Sequence, residues 1–216
     1  MNLILFGPPG AGKGTQSNEL SKNYNLQKVS TGDLLRNEIE KKTLLGKEIK
    51  EAIDKGKLVS DKIINSLIDL LLSEKKFHNR LIFDGYPRNL NQAETLENSL
   101  NKFNQKILCV LSLNVDKEII IKRILGRQIC SKCGLIFNEF YYPGNKKEYK
   151  CNLKFLEKRP DDNREIIEIR YDTYLKETKP ILNFYKNKDL LHEVNGMNKI
   201  STIYEEICSI IGALKG

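Results

Sequence analysis

The sequence predicts an α/β protein, a parallel sheet flanked by helices, with insertions at one end of the sheet. Three observations carry that prediction. Short apolar runs at Leu3–Phe6, Leu81–Phe83, Ile107–Leu111 and, more weakly, Leu190–Val194 alternate with stretches of helical period. The first run stops at the glycine-rich stretch Gly7-Pro8-Pro9-Gly10-Ala11-Gly12-Lys13-Gly14-Thr15, which leads into a helical stretch. The length, 216 residues, is about 1.4 times the ~150 residues of a typical domain, which fits one core with insertions.

Taken in order, Leu3-Ile4-Leu5-Phe6 lacks the polar–apolar alternation of a half-exposed strand and reads as a strand buried on both faces. Residues 30–59 hold two helical patterns, from Thr31 and from Leu44, with no strand between them and Gly56 as a C-cap. Ser60 reads as the N-cap of a helix on which Ile64, Leu67, Ile68, Leu71 and Leu72 share one face. Asp116 opens a helix carrying Ile119, Ile120, Arg123 and Ile124. Residues 126–162 break the alternation. They contain Cys130-x-x-Cys133, the aromatics Phe137, Phe140, Tyr141 and Tyr142, and a Pro143-Gly144 turn. Segments 30–59 and 126–162 therefore read as insertions over the top of the sheet. Asn163 to Lys188 reads as one long helix, bent or ended near Pro180, and Ser201 to Leu214 as the last helix.

Composition excludes several classes. Hydrophobic residues make up 40% and charged residues 30%, and runs such as Leu70-Leu71-Leu72 fall far short of the ~20 apolar residues that span a bilayer. The N-terminus lacks the basic and long apolar regions of a signal peptide, so a cytoplasmic protein without membrane contact is expected. Thirty-six Lys and Arg against 28 Asp and Glu give a net charge of +8, which suits polyanionic ligands. The basic residues are spread along the chain, with no arginine-rich block, and phosphorylated small molecules explain a basic pocket as well as nucleic acid does, so charge alone does not decide. Cys109 and Cys208 lie in apolar sequence and read as reduced core residues.

The glycine-rich stretch has the strand–loop–helix context of a phosphate-binding loop. Its glycines let successive N–H groups converge on phosphate oxygens at a helix N-terminus, and Lys13 neutralises the terminal phosphates. Gly14 stands where most such loops carry a magnesium-binding Ser or Thr; Thr15 follows and reaches the metal through water. Ser30-Thr31-Gly32-Asp33-Leu34-Leu35-Arg36 and Phe83-Asp84-Gly85-Tyr86-Pro87-Arg88 place an acid at a strand end and two arginines able to grip a second phosphate group. Asp84 is suited to hold magnesium through water. His78 and His192 lie outside every motif, and a phosphate-binding loop points to a nucleoside triphosphate without fixing the reaction.

GPPGAGKGTQ, STGDLLR, GKLVS, DGYPRN with Gln92, RILGR and KRPDDN, in that order, resemble the bacterial adenylate kinases of the long-lid form. The resemblance runs from residue 1 to about 200. It implies a P-loop kinase with a parallel five-stranded sheet: a CORE domain (1–29, 60–125 and 163–216), a helical nucleoside monophosphate-binding insertion (30–59) and a LID (126–162). The implied reaction moves the γ-phosphoryl of Mg-bound ATP to AMP, giving two ADP, in a monomer. Carried over by position, Gly10, Ala11, Gly12, Lys13, Gly14 and Thr15 hold ATP phosphates. Arg127 joins them from the LID, with Ile136, Phe137 and Asn198 near the adenine. Thr31, Arg36, Lys57, Leu58, Val59, Gly85, Tyr86, Pro87, Arg88 and Gln92 form the AMP site. Arg123 lies one turn before Arg127, Arg159 and Arg170 bridge the two nucleotides, and Asp161 and Asp162 clasp the closed LID.

Two departures bear on this. Asn89 stands where most adenylate kinases carry Thr, as in pyrimidine monophosphate kinases, so a pyrimidine acceptor is the alternative; a P-loop nucleic-acid-binding protein is a more distant one. Gln92 and the long LID argue for AMP. In the LID, Cys130, Cys133 and Cys151 match three ligands of a structural zinc site, but Lys154 occupies the fourth position. Either Glu148 substitutes, or the metal is absent and the aromatics hold the LID; the set as it stands is incomplete.

Overall fold

A computed structural model describes residues 1–55, 59–140 and 151–215. Its centre is a five-stranded sheet, in the order β2-β3-β1-β4-β8, with every pairing parallel. The strands are β1 (Asn2–Phe6), β2 (Gln27–Ser30), β3 (Leu81–Asp84), β4 (Ile107–Asn114) and β8 (Leu191–Asn195). Strand β1 is central and paired on both sides, and its Leu3, Ile4 and Leu5 are fully buried, as the unbroken apolar run requires.

Helices cover both faces. On one, Ile4, Phe6, Phe83 and Val110 pack against α4 (Asp61–Ser73), α5 (Leu90–Lys102) and α8 (Ile181–Lys186). On the other, Leu3, Leu5, Ile82, Cys109 and Leu111 meet α1 (Lys13–Tyr24) and α9 (Ile200–Ala213). The face foreseen on α4 is the one it buries: Ile64, Ile68 and Leu72 are inside, each such side chain contributing about 1.5–3 kcal/mol. Helices α2 (Thr31–Glu40) and α3 (Leu44–Asp54) follow β2 without an intervening strand and pack on each other. Helix α6 (Lys117–Leu125) leads into a separate three-stranded antiparallel sheet in the order β6-β5-β7, made of β5 (Arg127–Cys130), β6 (Ile136–Asn138) and β7 (Leu156–Glu157).

Several expectations change. Strand β2 has only Val29 buried, because it lies at the sheet edge, and its polar sequence gives no apolar run. The helix expected over Asn163–Lys188 is interrupted at Lys179–Pro180 as foreseen, but before that α7 (Arg164–Thr173) passes into a wider π-helical stretch, Tyr174–Thr178. There the Lys179 N–H donates to the Tyr174 carbonyl at 2.8 Å, a five-residue closure just before a proline that has no N–H to offer. Ser60 and Asp116 precede their helices, but neither side chain makes a capping bond. Cys208 is half-buried, whereas Cys109 is in the core. Gly56 lies outside the described residues, as do Tyr141, Tyr142, Pro143, Gly144 and Glu148. Among the described residues, no helix is long and apolar enough to cross a membrane.

All strands of the large sheet run the same way, so the loops after β1, β3 and β4 open at one edge. In α/β sheets that edge is where ligands bind.

Candidate active site

The loop after β1 is shaped by what lies against it. A Cβ on Gly10 (φ 79°) would stand 2.7 Å from Ile124 Cγ1 of α6, so only glycine fits there. Gly12 also has a left-handed φ, 101°, and hands the chain to α1, whose first turn presents backbone N–H groups towards the loop. Inside the loop, Lys13 Nζ donates to the carbonyls of Gly7 at 2.7 Å and Pro8 at 3.0 Å. Burial, then the charges of Arg88, Arg170 and Arg127, push the Lys13 ammonium down from its ordinary 10.5 to about 8, against the pull of Asp84. A charge destabilised in this way is ready for an anion.

At the end of β3, Asp84 Oδ2 accepts from Ser17 Oγ at 3.3 Å and faces Lys28 Nζ at 3.5 Å. The next carbonyl, Gly85 O, accepts from both Thr31 Oγ1 and Arg88 Nε at 2.8 Å. The Arg88 N–H donates to Gln92 Oε1 at 2.8 Å, and Thr178 Oγ1 holds the Arg88 carbonyl at 2.8 Å. These contacts frame a cleft lined by Thr31, Leu35, Val59, Ile64, Gly85, Tyr86, Arg88 and Gln92. Six of these residues were expected to share one nucleotide site. Leu35 and Ile64 add apolar walls suited to a base. Pro87 lies in the same loop, while Lys57 and Leu58 fall outside the described residues. Arg36 is paired to Asp33 on its own helix, yet its charge is felt by Arg88, Arg159 and Arg170.

The remaining arginines converge from α6, α7 and the small sheet. Arg123 Nη1 reaches the Ala11 carbonyl at 3.4 Å. Arg127 forms a fork with Asp162, its Nε donating at 2.8 Å and its Nη2 to the second oxygen. Arg170 Nη1 donates to Asp161 at 2.6 Å. Burial, then Arg170 and Arg36 against Asp84, brings Arg88 down to about 10. Burial, then Arg127 and Arg36 against Asp33 and Asp162, does the same to Arg159. These cations depress one another because the nearby carboxylates do not balance them, so the cluster suits a ligand with several negative charges.

The small sheet lies over the loop. Ile136 Cδ1 is 3.7 Å from where a Gly14 Cβ would stand, which sets this strand directly against the loop at ordinary contact distance. Phe137 alternates to the opposite face and is buried. Asn198 is exposed in the loop between β8 and α9, and Gln16 Nε2 ties α1 to the first residue of α9 through the Ile200 carbonyl at 3.0 Å. Asp61, Ser17 and Lys28 are site neighbours that the motifs did not flag. Each reaches its partner only after the chain has folded back over tens of residues, and pattern along the chain carries no trace of that.

Two donor sets are suited to metals. Asp84 and Thr15 offer hard oxygens beside the loop lysine, a set that fits Mg²⁺, which keeps several of its own waters. The sulfurs of Cys130, Cys133 and Cys151 lie within 4.8 Å of one another, and the Cys133 N–H points to Cys130 Sγ at 3.4 Å. Three thiols so placed fit three corners of a tetrahedral zinc site. Lys154 does not supply the fourth corner: its Nζ sits 5.2 Å from the centroid of the Phe155 ring.

Comparison with known proteins identifies the family. A family model described as adenylate kinase matches residues 5–190. A Pelagibacter ubique protein named adenylate kinase is 47% identical over 211 residues, covering 98% of this chain and 99% of its own length. Proteins of the same name from Listeria monocytogenes (40% over 215 residues; 99% and 100% covered) and Archaeoglobus fulgidus (39% over 217; 100% of both) are similar end to end.

Proposed function

The chain belongs to the adenylate kinase family, and from that premise we propose that it transfers the γ-phosphoryl group of ATP to AMP, giving two ADP, with the residues gathered at the sheet edge. The observation that carries this assignment of roles is the concentration of Lys13, Arg88, Arg127, Arg159 and Arg170 between the glycine loop and the Thr31–Gln92 cleft. Two anionic ligands placed end to end would both face that charge.

The roles follow from position. Gly10 to Thr15 cradle the donor phosphates, and Lys13 exchanges its bonds to Gly7 and Pro8 for phosphate oxygens. Thr31, Arg36, Val59, Gly85, Tyr86, Arg88 and Gln92 hold the acceptor, with Arg88 on its phosphate. Arg123, Arg127, Arg159 and Arg170 neutralise charge spread over the transferring group, which acts mostly in the transition state. Ile136 and Asn198 flank the donor base, whereas Phe137, expected beside it, is turned to the opposite face of its strand and buried. Asp84 and Thr15 would hold the Mg²⁺ on which the family depends, and that ion would neutralise the donor phosphates. Residues 126–162 act as a LID and 30–59 as an acceptor flap on a CORE of 1–29, 60–125 and 163–216. Closure of the two excludes water as a competing acceptor. All these groups belong to one chain, so the proposed transfer needs no residue from a second copy. A zinc ion held by the three LID thiols would be structural, pinning the Cys130–Cys133 turn to Cys151, with no part in transfer.

The test is a coupled assay of ADP formation with AMP, CMP, UMP and GMP as acceptors. AMP is expected to have the highest kcat/KM; a pyrimidine acceptor beating it would overturn the reading.

A further inference from the structure

Among the described residues, the cleft that takes the acceptor has one side-chain amide in its wall, that of Gln92, which is buried. An amide can be mounted either way round, and the two ways present opposite patterns to a base. Here both ends are spoken for. Gln92 Nε2 donates to Asp61 Oδ1 at 2.7 Å, and Gln92 Oε1 accepts from the Arg88 N–H at 2.8 Å. Turning the amide over would set its oxygen against a carboxylate and its NH₂ against an N–H donor.

The carboxylate is itself held. Asn89 Nδ2 donates to Asp61 Oδ1 at 2.9 Å and Asn91 Nδ2 to Oδ2 at 2.8 Å. Burial raises the Asp61 carboxyl, but the bonds from Asn91, Asn89 and Gln92 outweigh it and keep the group below its ordinary value. Asp61 therefore stays an ionised acceptor. Asn89 Oδ1 accepts from the Gln92 N–H at 2.8 Å, so this residue caps α5 and braces Asp61.

We propose that Asp61 is a positioning residue that locks the Gln92 amide in one orientation and so sets the acceptor cleft to take a 6-aminopurine monophosphate and refuse a 6-oxopurine one. After its bonds to Asp61 and Arg88, Gln92 keeps one lone pair on Oε1 and one hydrogen on Nε2. That pair matches an exocyclic amine beside a ring nitrogen acceptor. A 6-oxopurine offers a carbonyl beside a ring N–H and meets like with like at both positions. Cytosine shares the amino pattern, so this lock does not discriminate against it. The inference rests on the cleft being the acceptor site.

The experiment compares AMP with IMP, which differ only at this edge, in wild type, Asp61→Ala and Asp61→Asn at saturating ATP. Asp61→Ala is expected to lower the AMP-to-IMP ratio of kcat/KM by about tenfold, the worth of one hydrogen bond, with the loss in KM for AMP and KM for ATP unchanged. Asp61→Asn keeps an acceptor oxygen for Gln92 and Asn89, and is expected to retain most of the ratio even if the alanine variant folds poorly. A ratio equal to wild type in folded Asp61→Ala, or a ratio in Asp61→Asn as low as in Asp61→Ala, would overturn the lock. Wild-type enzyme with no AMP turnover would overturn the underlying assignment and the lock with it. Turnover with AMP but an unchanged ratio overturns the lock alone.

Discussion

Lys13→Met separates what the loop lysine does for catalysis from what it costs the fold. Holding the ammonium at about 8 instead of 10.5 costs the folded, ligand-free protein about 3 kcal/mol at neutral pH. Against that, its two bonds to the Gly7 and Pro8 carbonyls contribute about 1 kcal/mol each. The variant is therefore expected to be more stable than wild type by about 1 kcal/mol, raising Tm by about 2–4 °C. Its kcat should fall by roughly a hundredfold to a thousandfold, because the charge acts on the transferring phosphates. The pH dependence has a definite sign. Below about 8 both folded and unfolded states carry the proton, and the cost is fully present. Between about 8 and 10.5 the folded state loses the proton while the unfolded state keeps it, so wild type gains stability as pH rises. The advantage of Lys13→Met should thus be full at pH 7, gone at about pH 9 and reversed by about 10.5. Thermal unfolding of both proteins across that range, with the coupled ADP assay alongside, makes the comparison. A variant destabilised by several kcal/mol at pH 7, or one that keeps near-normal turnover, would refute the reasoning.

Arg88→Lys should cut kcat/KM for AMP roughly tenfold to a hundredfold with little change in KM for ATP, because a point charge cannot both hold the Gly85 carbonyl and grip phosphate in a fork; equal kinetics would make Arg88 merely structural. Asp162→Ala leaves Arg127 without its forked partner, and losing one side of a buried pair costs about 3 kcal/mol. Amide exchange across Arg127–Asn138 should accelerate by about a hundredfold; unchanged protection would mean that the fork does not hold the small sheet. Zinc added to metal-free protein should bind at about one ion per chain and raise Tm, and Cys151→Ser should lose both effects while ADP formation persists. A Cys133→Ser protein that stays folded yet loses all phosphoryl transfer would contradict a purely structural role for the thiols.

How far the chain could be read before it was folded depends on how local each signal is. The glycine loop, α2 and α3, the buried face of α4 and the last helix were legible because each is written in consecutive residues or at helical spacing. The same holds for the pieces of the site, since Gly10–Thr15 and Gly85–Arg88 are contiguous motifs whose chemistry follows from residue type. Strand β2 was not legible, because an edge strand with only Val29 buried needs no apolar run. Nor were β5, β6 and β7, at four, three and two residues too short for any period to emerge. What tertiary structure alone decided is which groups meet. Asn89, whose identity by sequence raised the question of a pyrimidine acceptor, turns its side chain to Asp61 and the α5 backbone. Arg127 finds Asp162 across 35 residues, and Lys13 loses basicity to burial and then to arginines from three other segments. A side chain's type is fixed by its codon, but its partners and its charge state are set by what the fold places beside it and how much water that leaves.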